Sequence, residues 1–193
     1  MIEIPFPVVL ASQSPQRRRL LKNIIGNFDV EDPSVDETVP TSFTVIEAVT
    51  ELARRKASVV AKKHPNALII AADTIVECLG EVMGKPEDGE DAVRMLLKLS
   101  RNPHSVITGV CTITPEDEER SFISHAQIRM RQFSRQEAET YVREEPTALE
   151  RSGAYALREF DPNIESIEGS REAVQGLPIH RLEEVLKTMY QRA

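Results

Sequence analysis

The feature that most limits the fold of this chain is one apolar run, ALIIAADTIV at residues 67–76, which contains a single charged residue, Asp73. The run is about half as long as a membrane-spanning helix requires, so it predicts a buried strand. An amphipathic helix is predicted directly before it, over about residues 44–63, because apolar residues recur there at helical spacing before a proline at 65. A helix followed at once by a buried strand favours an α/β fold.

Strands and helices also alternate along the rest of the chain. Residues 7–12 (PVVLAS) predict a short buried strand, and Ser14 followed by Pro15 predicts the cap and first position of a helix. Ser134 and Glu137 form a capping box for another helix, to about residue 144. The other predicted elements are a helix at 88–99, strands at 105–113 and 121–133 joined by an acidic turn, a loop-rich stretch at 146–179 and a closing helix at 180–191. Since no repeat or linker separates them, we expect one mixed α/β domain over residues 1–193.

Charge and cysteine content narrow the functional classes. The net charge of -7 argues against a general nucleic-acid binder, because such proteins carry a basic excess. The N-terminus has an acid where a signal peptide has basic residues, and no apolar run could span a membrane. Cys78 and Cys111 belong to no Cys/His cluster, so neither a zinc site nor a disulfide scaffold is indicated. We therefore expect a cytoplasmic protein without nucleic-acid or membrane partners.

Three segments combine polar residues with turns at the ends of predicted strands, where α/β proteins commonly bind ligands: SQSPQRRR at 12–19, AADTIV at 71–76 and GKP at 84–86. In the first, a turn opens a helix whose N–H groups and dipole favour an anion, and the guanidiniums in its opening turn suit phosphate. The alternative is that the three arginines form a solvated helix face.

Asp73 ends an almost wholly apolar stretch, so its carboxylate should be partly desolvated and rigid, as a general base or metal ligand requires. A carboxylate that caps a strand-end turn is the alternative. GEVMGKP is not a Walker motif, since three residues separate its glycines and proline replaces the Ser/Thr that would bind magnesium. The patterns HExxH, GxSxG and GxGxxG do not occur.

Several short motifs occur in an order that is more specific than any one of them. They are LASQSPQRRRLL, VDET at 35–38, LARRKA at 52–57, AADTIV, GKP, HSVITGV at 104–110, SGAY at 152–155 and GSREAVQGLP at 169–178. From residue 9 to about residue 183 the chain resembles the Maf family of nucleotide pyrophosphatases. The resemblance implies a two-lobed α/β fold built on a long mixed sheet, similar to the inosine triphosphate pyrophosphatases, with a nucleotide cleft between the lobes. It also implies a cytoplasmic enzyme, a possible homodimer and a divalent cation, Mg²⁺, Mn²⁺ or Co²⁺.

The resemblance assigns roles to individual positions. Asp73 matches the catalytic aspartate, which would activate a water for attack at the α-phosphorus of a nucleoside triphosphate and release pyrophosphate. Glu37 matches an acidic position that would hold the metal together with Asp73. The expected substrate-binding residues are Ser12, Arg17, Arg18, Lys56, Lys85 and Ser170, and the turn at 176–178 is expected to shape the cleft.

Three positions bear on the substrate base. Gln16 stands where pyrimidine-preferring members have arginine and 7-methylguanosine-preferring members have tryptophan, and Arg158 stands where those groups have glutamine and glutamate. Thr74 matches the pyrimidine-preferring members, and a guanidinium suits pyrimidine carbonyls but repels cationic 7-methylguanine. We therefore expect UTP, dTTP or CTP as substrates. The alternatives are a house-cleaning pyrophosphatase for ITP or XTP and a nucleotide-binding regulatory module in cell-division arrest.

Overall fold

The computed structural model describes residues 1–157 and 161–190. The helices within these ranges are α1 (Pro15–Lys22), α2 (Val45–Lys63), α3 (Gly89–Arg101), α4 (Arg135–Glu144), α5 (Arg171–Val174) and α6 (Ile179–Tyr190). The strands are β1 (Val8–Ala11), β2 (Asp29–Glu31), β3 (Leu68–Cys78), β4 (Glu81–Met83), β5 (His104–Ile113), β6 (Glu119–Met130) and β7 (Ile164–Gly169). Short 3₁₀ turns occur at Ala148–Glu150 and Ser152–Ala154.

The described strands form one mixed sheet. Its order is β2-β1-β3-β5-β6-β7, and β4 pairs with β3. Strand β1 runs parallel to β2 and to β3, whereas the β3–β4 and β6–β7 pairs are antiparallel. The predicted fold class, a mixed sheet flanked by helices, is therefore confirmed, and the predicted strands at 105–113 and 121–133 are neighbours in it.

The chain divides into two compact units. The first contains Met1–Asp73, Thr108–Ser124 and the described residues from 175 onward. The second contains Thr74–Ile107 and the described residues between 125 and 174. The predicted nucleotide cleft between two lobes stays a prediction. Among the described residues, no helix has the length and apolar content needed to cross a membrane.

The first unit is built by the alternation of side chains along β1 and β3. Val8, Leu10, Leu68, Ile70 and Ala72 pack in one apolar cluster with residues of α1 and α6. The residues between them pack in a second cluster, with Ala53, Ala57 and Val60 of α2; they are Val9, Ala11, Ile69 and Ala71. Since side chains two apart along a strand share a face, Asp73 lies on the α2 side of β3.

Helix α2 approaches β5 closely at one point. A Cβ atom on Gly109 would lie 2.8 Å from the carbonyl oxygen of Val49, so a side chain there would displace the helix. Helix α2 begins at the N-cap Thr44, whose side chain and that of Glu47 form a capping box. The close approach and the cap fix the helix that carries Lys56.

The second unit has its own core. Leu96 and Leu99 of α3 pack with Ile128 and Met130 of β6, and Tyr155 lies in the same cluster. His104 Nε2 lies 2.9 Å from the hydroxyl of Tyr155, with both residues buried. Burial lowers the pKa of His104 to about 4. The HSVITGV and SGAY motifs therefore meet at this pair.

Sequence patterns located most elements but not all. The structure confirms β1, α1, α2, α3, the capping box of α4 and the closing helix within a few residues. Strands β2, β4 and β7 were not predicted, and β7 occupies part of the stretch expected to be loop-rich. Asp73 does not end its strand, because β3 continues through Thr74 and Val76 to Cys78.

Candidate active site

Asp73 and Lys56 form a nearly buried ion pair at the centre of the candidate site. The two side chains are 11% and 10% exposed, and Lys56 Nζ donates to Asp73 Oδ1 at 2.6 Å. Lys56 lies on the buried stripe of α2 with Ala53 and Val60, and this stripe faces the side of β3 that carries Asp73. The helical and strand periodicities together bring the two residues into contact.

Glu37 completes an acidic pair around the same ammonium group. Its Oε1 lies 2.6 Å from Lys56 Nζ, and its side chain is 58% exposed. Because Asp73 Oδ1 and Glu37 Oε1 each lie 2.6 Å from Lys56 Nζ, the distance between these two oxygens is at most twice that value. The structure brings together three residues that the family resemblance named separately.

Arg17 joins three segments that border this ion pair. Its Nη1 donates to the carbonyl oxygen of Ala72 at 2.8 Å and lies 3.4 Å from Ser12 Oγ. Its Nε donates to the carbonyl oxygen of Gly176 at 2.9 Å. Burial lowers the pKa of Arg17, while the negative charges of Asp73 and Glu37 oppose that shift. The guanidinium therefore holds the backbone next to Asp73 as well as supplying positive charge.

The turn after β1 opens helix α1 next to these groups. Ser14 is the N-cap and accepts from the amide of Arg17, and Ser12 Oγ accepts from the amide of Ser14. Arg18 is exposed and Gln16 is partly exposed on the same helix. Because β1 is in register with Leu68 to Ala71 of β3, the chain leaves β1 beside Ala72 and Asp73. The segment predicted to bind an anion therefore lies beside the ion pair, and its contact with phosphate stays a prediction.

The carboxylates of Asp73 and Glu37 are oxygen donors of the kind that hard divalent cations prefer. No group of three or more His, Cys, Asp or Glu side chains within the described residues could hold a metal ion. The carboxylates of Asp73 and Glu37 nevertheless both contact the Lys56 ammonium group, so they lie close to each other. Mg²⁺ is commonly bound by one or two carboxylates plus substrate phosphates. The pair fits a cation that binds together with the substrate.

Three of the remaining predicted residues belong to the second unit, namely Thr74, Lys85 and Ser170. Lys85 is exposed after β4, and Thr74 is partly exposed on β3. Ser170 Oγ accepts from the amide of Ala173 at 3.1 Å, as a cap of α5 does. Arg158 lies outside the described residues. For these four positions the expected contacts with substrate stay predictions.

Two contributors to the site were absent from the sequence argument. The carbonyl of Ala72 accepts from Arg17, and Arg55 contacts the loop that carries Glu37. The signal in the sequence was their place within the motifs AADTIV and LARRKA, directly before Asp73 and Lys56.

Comparison with known proteins identifies the group to which this site belongs. The family model for Maf-like proteins matches residues 7–189. The chain belongs to the Maf family. The membership predicted from the ordered motifs is therefore confirmed, and the Asp73, Lys56 and Glu37 cluster is a feature of a Maf-family protein.

Two relatives of similar length share one name. A dTTP/UTP pyrophosphatase of Salinibacter ruber is 36% identical, over 98% of this chain and 94% of the relative. Another dTTP/UTP pyrophosphatase, of Aquifex aeolicus, is 38% identical over 94% of this chain and 95% of the relative. Among solved structures, the Ham1 protein of Staphylococcus aureus has a TM-score of 0.56 at 18% identity and covers 95% of this chain and 99% of that chain. At that identity the likeness concerns the fold alone.

Proposed function

We propose that this Maf-family protein is a nucleoside triphosphate pyrophosphatase that cleaves UTP and dTTP to the monophosphate and pyrophosphate. The curated relatives named above are dTTP/UTP pyrophosphatases at more than a third identity over nearly the whole chain. This is the class of activity predicted from the motifs. The single structural observation that carries the proposal is the nearly buried Asp73, held by Lys56 beside a helix N-terminus and a guanidinium.

Asp73 is the proposed general base. Its neighbour Lys56 donates a short hydrogen bond to one carboxylate oxygen, which stabilises the negative charge and fixes the side chain. A fixed carboxylate can take a proton from a water that attacks the α-phosphorus, and pyrophosphate then leaves. The proton moves to Asp73 as the oxygen–phosphorus bond forms, so no covalent enzyme intermediate is required.

Cationic groups around Asp73 are proposed to hold the triphosphate. The N-terminal amides of α1 and the exposed Arg18 lie on the segment that also carries Arg17. Arg17 keeps a positive charge near the acidic pair while it anchors the backbone. Lys85, from the GKP motif, is proposed as a further phosphate ligand. Charges held in place before the reaction stabilise the oxygens of the transition state.

A divalent cation is proposed to bind between Asp73, Glu37 and the substrate phosphates. When bound, such a cation would screen phosphate charge and polarise the phosphoryl oxygens. Glu37 is the more exposed ligand and lies on a loop, so it can adjust to the cation. A homodimer and a cytoplasmic location remain predictions of the same proposal.

The preference for a pyrimidine base is proposed from the names of the relatives together with Thr74. Gln16 and Arg158 depart from the two subgroups considered above, so the base pocket of this protein has its own residues. We propose that Arg158 donates to pyrimidine carbonyl oxygens and disfavours 7-methyl-GTP.

The test is pyrophosphate release by the purified protein over a panel of nucleotides with Mg²⁺, Mn²⁺ and Co²⁺. The panel contains UTP, dTTP, CTP, ITP, XTP and 7-methyl-GTP, and kcat/KM is measured for each. An Asp73→Asn protein, purified identically, controls for a contaminating enzyme. We expect the highest kcat/KM for UTP or dTTP. A preference for ITP or XTP would contradict the pyrimidine assignment, and equal rates from wild type and variant would contradict the assigned activity.

A further inference from the structure

Arg55 contacts the backbone on both sides of Glu37. Its Nη1 donates to the carbonyl oxygen of Thr38 at 2.7 Å and to that of Asp36 at 3.2 Å. These carbonyls belong to the residues directly after and directly before Glu37. A single guanidinium nitrogen thus fixes the chain at the point where Glu37 leaves it.

Two carboxylates support this contact from either side. Glu51 Oε1 accepts from Arg55 Nε at 2.8 Å and so orients the guanidinium. On the loop, Asp36 Oδ1 accepts from the amide of Thr38 at 2.8 Å, which closes a small turn around Glu37. Loop and helix are therefore both shaped for the Arg55 contact.

The loop that carries Glu37, residues 32–40, is not part of a helix or strand, and the Glu37 side chain is mostly exposed. Fixing one loop residue costs roughly 1–2 kcal/mol of conformational entropy, so an unanchored loop would hold Glu37 near Lys56 only part of the time. Since Arg55 and Lys56 are consecutive on α2, one helix holds both the backbone and the carboxylate of Glu37.

We infer that Arg55 is a positioning residue, which acts through Glu37 by clamping the carbonyls of Asp36 and Thr38. Its effect on catalysis rests on the proposed function, whereas its effect on the loop does not. Arg54 supplies a matched control. It is adjacent, bonds the same Glu51 with Nε at 2.8 Å, and is 45% exposed against 29% for Arg55. The hydrogen bonds of Arg54 within the described residues do not include the loop carbonyls.

The first experiment measures kcat and KM for UTP in Arg55→Ala, Arg54→Ala and Arg55→Lys proteins. Because hydrogen bonds from a charged group are strong, their loss in Arg55→Ala should lower kcat/KM about tenfold. Arg54→Ala should change kcat/KM less than about twofold. Arg55→Lys should lie between them, because an ammonium keeps the charge but loses the oriented fork. Equal losses for Arg54→Ala and Arg55→Ala would overturn the inference.

A double-mutant cycle tests whether Arg55 acts through Glu37. In a Glu37→Gln background, Arg55→Ala should lower kcat/KM less than about twofold, because the carboxylate that Arg55 positions is already absent. Full additivity of the two losses would overturn the inference. A structural role elsewhere on α2 would give that additive result, so the cycle separates the two explanations.

Amide hydrogen exchange of the loop gives a readout that does not depend on activity. Over milliseconds to seconds, peptides covering residues 34–40 should exchange faster in Arg55→Ala than in wild type. Their exchange rate in Arg54→Ala should equal that of wild type. Unaltered exchange in Arg55→Ala would overturn the clamp. If wild type released no pyrophosphate, the proposed function would fail while the exchange result still decided the role of Arg55.

Discussion

Replacing Asp73 with asparagine separates its chemical role from its structural one. In the structure, Lys56 Nζ donates to Asp73 Oδ1 and also contacts Glu37, in a setting where Asp73 and Lys56 are nearly buried. Asparagine has the same shape and keeps a side-chain oxygen that can accept from Lys56. Weakening one charged hydrogen bond should therefore lower the free energy of unfolding by about 1–2 kcal/mol.

Catalysis should respond far more strongly. An amide cannot take a proton from the attacking water, so kcat should fall by about 10²-fold or more, the scale of general-base catalysis. That factor corresponds to about 2.7 kcal/mol of lost transition-state stabilisation. UTP binding measured without a divalent cation should change little, because the cationic side chains of the protein are unaltered.

The assay is pyrophosphate release from UTP with a divalent cation, combined with urea unfolding and calorimetric UTP binding. Asp73→Ala serves as the comparison, because it removes the acceptor of Lys56 as well as the base and should destabilise the protein more. A kcat within about fivefold of wild type in Asp73→Asn would refute the role of Asp73. Loss of folding in Asp73→Asn would refute the claim that the amide substitutes structurally.

Three further predictions concern other parts of the chain. Gly109→Ala should lower the free energy of unfolding by about 1–3 kcal/mol and reduce kcat several-fold, because its Cβ would meet the Val49 carbonyl at 2.8 Å and displace α2; Gly89→Ala, whose Cβ meets its nearest neighbour only at 3.9 Å, is the control in urea unfolding and turnover assays. Acidification should destabilise the protein as the pH falls from about 6.5 towards 4, because the unfolded chain protonates His104 near 6.5 and the folded chain only near 4. The free energy of unfolding should be lower by about 2 kcal/mol near pH 5. In urea unfolding, a His104→Asn protein should lack that part of the pH dependence. Lys85→Ala should lower kcat/KM by a similar factor for UTP, dTTP and CTP, since a phosphate ligand does not read the base; a loss confined to one nucleotide would place Lys85 elsewhere.

Periodic patterns predicted the long elements because each is set by its own residues. The apolar stripe of α2 and the apolar run of β3 have enough residues to define a period and a face. Strands β2 and β4 have three residues each, too few for any period to appear. They exist because β1 and β3 offer backbone partners. Strand β3 passes through Asp73 for a related reason, since its residues Val76 to Cys78 pair with β4.

The sequence also named the side chains that are proposed to carry the chemistry. Asp73, Lys56, Glu37 and Arg17 could be named from their motifs, because carboxylates, ammonium groups and guanidiniums are specific to residue type. The grouping of Asp73 and Glu37 about the Lys56 ammonium nitrogen required the tertiary structure, since the loop that brings Glu37 to Lys56 shows no periodic pattern.

The partners of Arg17 and Arg55 were decided by the tertiary structure alone. Both guanidiniums bond carbonyl oxygens, of Ala72 and Gly176 in one case and of Asp36 and Thr38 in the other. Every residue has a backbone carbonyl, so no residue type marks the acceptor. Which carbonyl meets a guanidinium depends on where the folded backbone lies, and the order of residues does not specify that locally.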